Sequence, residues 1–214
     1  MNELIDSLMV LLVLMNLRLL GSSRLAACIR TVAIQAVLLG CIPLLMQGGG
    51  FTLRVILLAL FSTAIKAAVL PWLLRRAVRE ANVRNEVEPL VGFTTSLLLG
   101  IGLLGAALHL AGRLPPPGGE GTAFLVPVAL FTMMVGLFLI VSRVKAVMQA
   151  LGYLAMENGI YAFGMACAIQ EPLLVEMGIL LDVFVAIFVM GITIHHISRE
   201  FEHIDTDRLS ALKD

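Results

Sequence analysis

Three ionisable side chains fall near the middle of long apolar stretches of this sequence. They are Lys66, Glu157 and Asp182. At the centre of a membrane-spanning helix such a group costs about 2.5–3.5 kcal/mol on insertion scales, so these groups usually pair or lie on an ion path. Three of them in one chain indicate either mutual pairing or a function in moving ions.

Glu157 has tyrosines at helical spacing. Tyr153 and Tyr161 lie four residues before and after it and would share its helix face. Burial favours the neutral form of a carboxyl group, whereas a nearby cation favours the ionised form. A carboxyl group under both influences can take up and release a proton. We therefore predict a proton relay of Glu157, Asp182, Lys66, Tyr153 and Tyr161. The alternative is a static hydrogen-bonded cluster that holds the helices together, with Lys66 as a counter-charge.

Composition identifies the solvent that surrounds these residues. Of the 214 residues 59% are hydrophobic and only 14% are charged, whereas a soluble domain has roughly 25% charged residues. Several apolar runs approach the roughly 20 residues that cross a bilayer, and spans in lipid must be helical to satisfy their backbone groups. We predict an all-α integral membrane protein with about seven transmembrane helices, at about 3–20, 26–46, 52–74, 90–111, 124–142, 148–168 and 172–196.

The turn-rich stretches QGGG, GRLPPPGGEG and QEP separate these helices and suggest four segments. They are an N-terminal three-helix unit with a cytoplasmic extension (1–89), a linker helix with an external loop (90–123), a second three-helix unit (124–196) and a cytoplasmic tail (197–214). Ser-Arg pairs at 23–24 and 142–143, and Arg-Glu pairs at 79–80 and 199–200, recur at nearly the same offset. This weak repeat suggests that the two three-helix units are copies.

Positive charges are distributed unequally between the two sides of the predicted bundle. One side receives only Arg54 and Arg113. The other receives most of the remainder: Arg18, Arg24, Arg75, Arg76, Arg79, Arg84, Arg143, Lys145, Arg199, Arg208 and Lys213. The positive-inside rule then predicts a multi-pass protein of the cell inner (cytoplasmic) membrane, with its N-terminus outside and its C-terminus cytoplasmic.

The sequence lacks the residue patterns that several other classes of function require. Cys28, Cys41 and Cys167 have no paired spacing, which argues against a disulfide framework or a zinc site. His195 and His196 have no accompanying acid or cysteine cluster. We therefore predict no metal, no cofactor and no catalytic redox centre. The formal net charge is zero, so the charge balance gives no indication of a nucleic-acid partner, and none is predicted.

Two stretches and the C-terminal tail carry a resemblance to a known family: VSRVKAVMQALGYLAMENGIYAF (141–163), EMGILLDVFVAIFVMG (176–191) and the tail HIDTDRLSALKD. Together they resemble hydrogenase-4 component E, a membrane subunit of the formate-hydrogenlyase type. The same region is similar to the small K-type subunit of respiratory complex I and to its counterpart in the multisubunit sodium/proton antiporters of the Mrp type. The resemblance implies two buried acids on a proton path. One falls on Asp182, whereas the other aligns with Leu154, so that Glu157 is displaced by nearly one turn.

The resemblance implies a non-catalytic membrane subunit of a complex I-like complex that translocates protons or sodium ions by redox energy, most like a group 4 nickel–iron hydrogenase. Its partners would be antiporter-like and other membrane-arm subunits, in contact with the lipid bilayer. The alternatives are a purely structural membrane scaffold and a subunit of a cation/proton antiporter that is built from several chains. A stand-alone transporter would need paired broken helices at mid-membrane, and the sequence shows no such pair.

Overall fold

The structure, a computed structural model, describes residues 2–46, 60–61, 63–80, 87, 89–114, 124–168 and 191. Helices make up nearly all of this part of the chain, which confirms the all-α fold class. They are α1 (Asn2–Gly21), α2 (Leu25–Met46), α3 (Leu70–Glu80), α4 (Phe93–Ala111), α5 (Leu125–Ser142) and α6 (Ala146–Ala168), and a π-helical turn (Ile65–Val69) leads directly into α3.

Most of the predicted helices agree with the observed ones within a few residues at each end. Helix three, expected to end its span at residue 74, continues as α3 to Glu80, so the predicted extension is helical at its start. The rest of that extension and the predicted helix at 172–196 lie outside the described residues, apart from Val87, Pro89 and the helical Gly191.

Among the described residues, four helices are long and apolar enough to cross a membrane. These spans are Glu3–Gly21, Leu25–Pro43, Phe93–Ala111 and Leu125–Ser142. Helix α6 is also long enough, with 23 residues, but it is not among the four, and its interior carries Glu157 and Asn158. The structure therefore describes an all-α membrane protein in which α6 is a long helix with an acid near its centre.

Helices α5 and α6 form the most closely packed pair. A three-residue connection joins them, which makes them antiparallel neighbours. Glycines on both helices let the backbones approach: a Cβ atom on Gly136 would overlap the backbone of Met156, and one on Gly152 would lie 2.8 Å from the carbonyl oxygen of Gly136. Small residues at a helix contact are the usual way in which membrane helices pack closely.

Helix α5 is central and α4 is peripheral. In the span of α5 61% of the residues are buried, against 17% in the span of α4. Two clusters of buried apolar residues fill the bundle. The first core cluster, with Leu20, Leu25, Leu74, Leu139 and Leu151 among its members, lies at the end where α1 stops and α2 begins. The second, with Ile5, Leu39, Ile42, Leu125 and Ala162, lies at the opposite end.

Arg143 joins the elements at the end of the first core cluster. Its side chain is only 1% exposed, and Nη2 donates a hydrogen bond of 2.8 Å to the carbonyl oxygen of Leu20 in the last turn of α1. The guanidinium also lies 5.2 Å from the ring centre of Phe93. A cation at a helix C-terminus is stabilised by the helix dipole. Burial lowers the pKa of Arg143 from its ordinary value, but a guanidinium remains charged in proteins.

Near Arg143, two backbone hydrogen bonds join Ser23 and Ser142 to Val87 and Leu90. Val87 donates to the carbonyl oxygen of Ser23, between α1 and α2, and Leu90 donates to that of Ser142, the last residue of α5. Both carbonyl groups belong to the recurring Ser-Arg pairs of the sequence. This common role is consistent with the predicted repeat, which otherwise stays a prediction.

Candidate functional site

A layer of polar side chains crosses the bundle between the two core clusters. This central polar layer consists of Asn16, Gln35, Lys66, Thr132, Glu157 and Asn158, all of them buried. Its position follows from the chain order of each helix. In α1, Asn16 lies between Leu12 of the second cluster and Leu19 of the first, and in α6 the acid lies between Ala155 and Ala162.

Lys66 and Glu157 form a buried ion pair within this layer. Lys66 Nζ lies 2.7 Å from Glu157 Oε1, and the two side chains are 9% and 3% exposed. The contact is an ion pair by distance, because neither carboxylate oxygen has an aligned hydrogen-bond donor in the described part of the chain. Of the two alternatives left by the sequence, mutual pairing is observed for these two residues, and pairing does not exclude ion transfer.

A local irregularity of the backbone places Lys66. The residue lies in the π-helical turn, where Leu70 donates its N–H to the carbonyl oxygen of Ile65 rather than to that of Lys66. Pro71 follows immediately, and since proline has no N–H it cannot bond to the carbonyl of Ala67, four residues earlier. Single π-helical turns of this kind occur frequently at functional sites. Here the turn changes the direction in which Lys66 leaves the helix.

The two predicted relay tyrosines lie on α6, one before and one after Glu157. The ring centre of Tyr161 lies 5.4 Å from Lys66 Nζ, within the distance at which a cation is attracted to an aromatic face. Tyr161 therefore belongs to the site. Tyr153, one turn before Glu157, is partly buried and packs against the first core cluster. The predicted role of Tyr153 in the relay stays a prediction.

A buried carboxylate beside an ammonium group can act in two ways. It can hold two helices at a fixed distance, or its protonation can remove the charge opposite the lysine and so change the local field. Removal of one partner from such a pair is strongly destabilising, whereas replacement of both partners by apolar residues is often tolerated. This asymmetry allows an experiment to separate the two functions.

The central polar layer also contains a second group of polar residues, which was not predicted from the sequence. Asn16 Nδ2 donates to Thr132 Oγ1 at 2.8 Å, and Gln35 Nε2 donates to Asn16 Oδ1 at 2.9 Å. These bonds join α1, α2 and α5 at the depth of Glu157. The only signal in the sequence was a neutral amide within an apolar run, as in MVLLVLMNLRLL and VAIQAVLLG.

Other predicted features lie partly beyond what the structure describes. Asp182 is outside the described residues, so its place next to Glu157 stays a prediction. Among the described residues no group of three or more His, Cys, Asp or Glu could hold a metal ion, and the predicted absence of a cofactor is untested.

The fold and the buried pair define a class, that of multi-spanning α-helical membrane proteins with an acid–lysine pair in the bundle. The chain is 35% identical to an uncharacterised protein of Mycobacterium tuberculosis, Rv0085, over 204 residues that cover 95% of this chain and 93% of the relative. It belongs to the family of that protein.

A second group of relatives covers less of the chain. Hydrogenase-4 component E of Escherichia coli K12 and that of Shigella flexneri are each 36% identical to it over 97 residues, or 45% of this chain and 45% of the relative. The predicted resemblance to this component is thus confirmed as a partial similarity. No protein-family model matches the chain, and no solved structure matches it.

Proposed function

We propose that this protein is a membrane subunit of a hydrogenase-type complex and that its central polar layer relays protons. The observation that carries the relay is the buried contact of 2.7 Å between Lys66 and Glu157. The partial similarity to hydrogenase-4 component E supports the type of complex. The partners in this proposal are antiporter-like and other membrane-arm subunits of the complex in the cytoplasmic membrane, and the chain itself carries no redox centre.

The proposed mechanism uses the change of charge at Glu157. A proton that reaches the carboxylate converts it to a neutral acid and removes the anion opposite Lys66, so the attraction between the two groups is lost. Release of the proton restores the pair. In the proposal, Asp182 and acids or lysines of neighbouring subunits are the next groups on the path. Redox energy reaches the site through electrostatic shifts in those subunits, since charge interactions act strongly where water is excluded.

Two alternatives make different demands on the same residues. A structural scaffold needs the pair only to hold α6 against the helix of Lys66. A subunit of a cation/proton antiporter would also use Glu157, but without a redox partner. Purification of the tagged chain from its native membrane distinguishes an antiporter subunit from a hydrogenase-type subunit. A hydrogenase-type complex copurifies with nickel and iron, whereas an antiporter does not.

The relay is tested by proton translocation in sealed membrane vesicles that contain the whole complex, with a reduced viologen dye as electron donor. The variants are Glu157→Gln and Asp182→Asn, which keep size and hydrogen bonding but cannot ionise. We expect the assembled complex of each variant to lose proton translocation, and the yield of assembled complex is measured alongside because loss of one partner of a buried pair is destabilising. Unchanged translocation in both variants would leave the chain without a relay function.

A double variant distinguishes the relay from the scaffold. Lys66→Met with Glu157→Leu removes both charges and leaves an apolar contact, which restores packing if the pair is only structural. The scaffold therefore predicts full assembly and full translocation in the double variant. The relay predicts full assembly without translocation.

A further inference from the structure

A small cavity adjoins the Lys66–Glu157 pair on the side of the second core cluster. Its volume is about 10 Å³, and its polar lining is formed by Thr63, Lys66, Asn158 and Tyr161. Ala36 and Gly40 of α2 contribute to the opposite wall. A water molecule requires a cavity of about 10–15 Å³ and two to four polar partners. The cavity meets the requirement for one water molecule in both respects.

One of the lining side chains has an unpaired donor. Asn158 is 3% exposed, and its Nδ2 atom has no hydrogen-bond partner among the described residues. A buried N–H group of this kind is almost always paired with protein or with ordered water. The nearby carboxylate of Glu157 also lacks an aligned donor in the same part of the chain. Beside the ion pair, Asn158 can therefore donate a hydrogen bond and Glu157 can accept one.

The wall formed by α2 is fitted closely to Thr63. A Cβ atom on Gly40 would overlap the Thr63 side chain, so the absence of a side chain at Gly40 lets Thr63 pack directly against α2. Thr63 and Tyr161 each lie about one helical turn from the pair, Thr63 before Lys66 and Tyr161 after Glu157. Tyr161 packs against the second core cluster, and the Thr63 side chain lies against Gly40 of α2.

We infer that this cavity binds one ordered water molecule, which accepts a hydrogen bond from Asn158 and connects the Lys66–Glu157 pair to the hydroxyl groups of Thr63 and Tyr161. A metal cation is the wrong occupant, because the ammonium of Lys66 is positively charged and the amide nitrogen of Asn158 offers hydrogen-bond donors rather than a lone pair. In terms of the proposed function, on which this role rests, the water is the point where a proton reaches Glu157 from the end of the bundle that holds the N-terminus of α1.

Radiolytic hydroxyl-radical labelling of the full-length protein in lipid nanodiscs tests the water site, since radicals formed from a bound water modify the side chains beside it. Ala36→Leu fills the cavity, and Asn158→Leu removes the amide that anchors the water. The control is Ala26→Leu, on the exposed side of the same helix α2. We expect the labelling rate of Tyr161 to fall severalfold in Ala36→Leu and in Asn158→Leu and to stay unchanged in Ala26→Leu.

Each result has a definite meaning. Equal Tyr161 labelling in the native protein and in a folded cavity variant overturns the water site, and Asn158→Leu serves this purpose if Ala36→Leu does not fold. The labelling measures water without any electron donor, so it is independent of proton translocation. Loss of labelling with unchanged translocation in Glu157→Gln would preserve the water site and remove the relay.

Discussion

The ammonium nitrogen of Lys66 lies 2.7 Å from a carboxylate oxygen of Glu157, and less than a tenth of either side chain is exposed. Two residues distant in sequence thus meet between the two apolar clusters of the bundle. The contact links α6 to the π-helical turn before α3. Within the central polar layer as defined above, these two side chains are the charged members.

The stability of the protein should depend on the balance of charge in the pair. The single variants Glu157→Leu and Lys66→Met each remove one partner of the buried ion pair, and each should lower the free energy of unfolding by about 3–5 kcal/mol. Lys66→Met combined with Glu157→Leu should recover most of that loss. Thermal unfolding in nanodiscs measures the cycle. Additive losses in the double variant would show that the two side chains do not interact.

The helices could be predicted from the sequence, but the contacts that form the site could not. Long apolar runs in a chain with few charges allow only helices in lipid, so the spans followed from composition. The meeting of Lys66 and Glu157 depends on the rotation of two helices, and the π-helical turn at Ile65–Val69 alters that rotation without a clear signal in the sequence. Helical spacing placed Tyr153 and Tyr161 on one face, and the structure adds that the ring centre of Tyr161 lies 5.4 Å from the lysine nitrogen.

Two neutral polar residues and one arginine have structural roles that were not predicted from the sequence. Asn16 and Gln35 are neutral, so their burial was not expected to matter, although they bond three helices together. Arg143 was counted only as a positive charge of the cytoplasmic side. The structure shows instead a buried side chain bonded to the end of α1. A count of charges identifies the side on which an arginine lies but not the carbonyl group that it binds.

Arg143→Gln should destabilise the end of the bundle where α1 meets α5. The substitution removes the charged donor to Leu20 O, and a hydrogen bond to a charged group contributes about 1.5–3 kcal/mol. The matched control is Arg24→Gln, in the corresponding connection between α1 and α2, where the side chain is exposed. Unfolding of both variants in the same lipid gives the comparison. Equal stability of the two variants would contradict the structural role of Arg143.

Asn16→Leu should be more damaging than its neutral charge suggests. The variant keeps the volume of the side chain but leaves the amide of Gln35 without its acceptor and Thr132 without its donor, which should cost about 1–3 kcal/mol. The control, Ser7→Ala in the same helix, removes an exposed bond to Glu3 O and should change stability by no more than about 0.5 kcal/mol. Hydrogen exchange of α2 would report the loss locally, with faster exchange in Asn16→Leu alone.

Gly152→Ala should disrupt the contact between α5 and α6, whereas Gly102→Ala should not. A Cβ atom at Gly152 would lie 2.8 Å from Gly136 O and 2.9 Å from Ile140 N, both of them backbone atoms. The two helices must then move apart, and overpacking of this kind costs about 1–3 kcal/mol. Gly102, on the peripheral helix α4, has no atom within 4 Å of the added Cβ among the described residues, so alanine should stabilise that helix by about 0.5–1 kcal/mol. Opposite shifts of the unfolding midpoint are the expected result. Shifts of the same sign would show that the close approach of α5 and α6 is not what Gly152 provides.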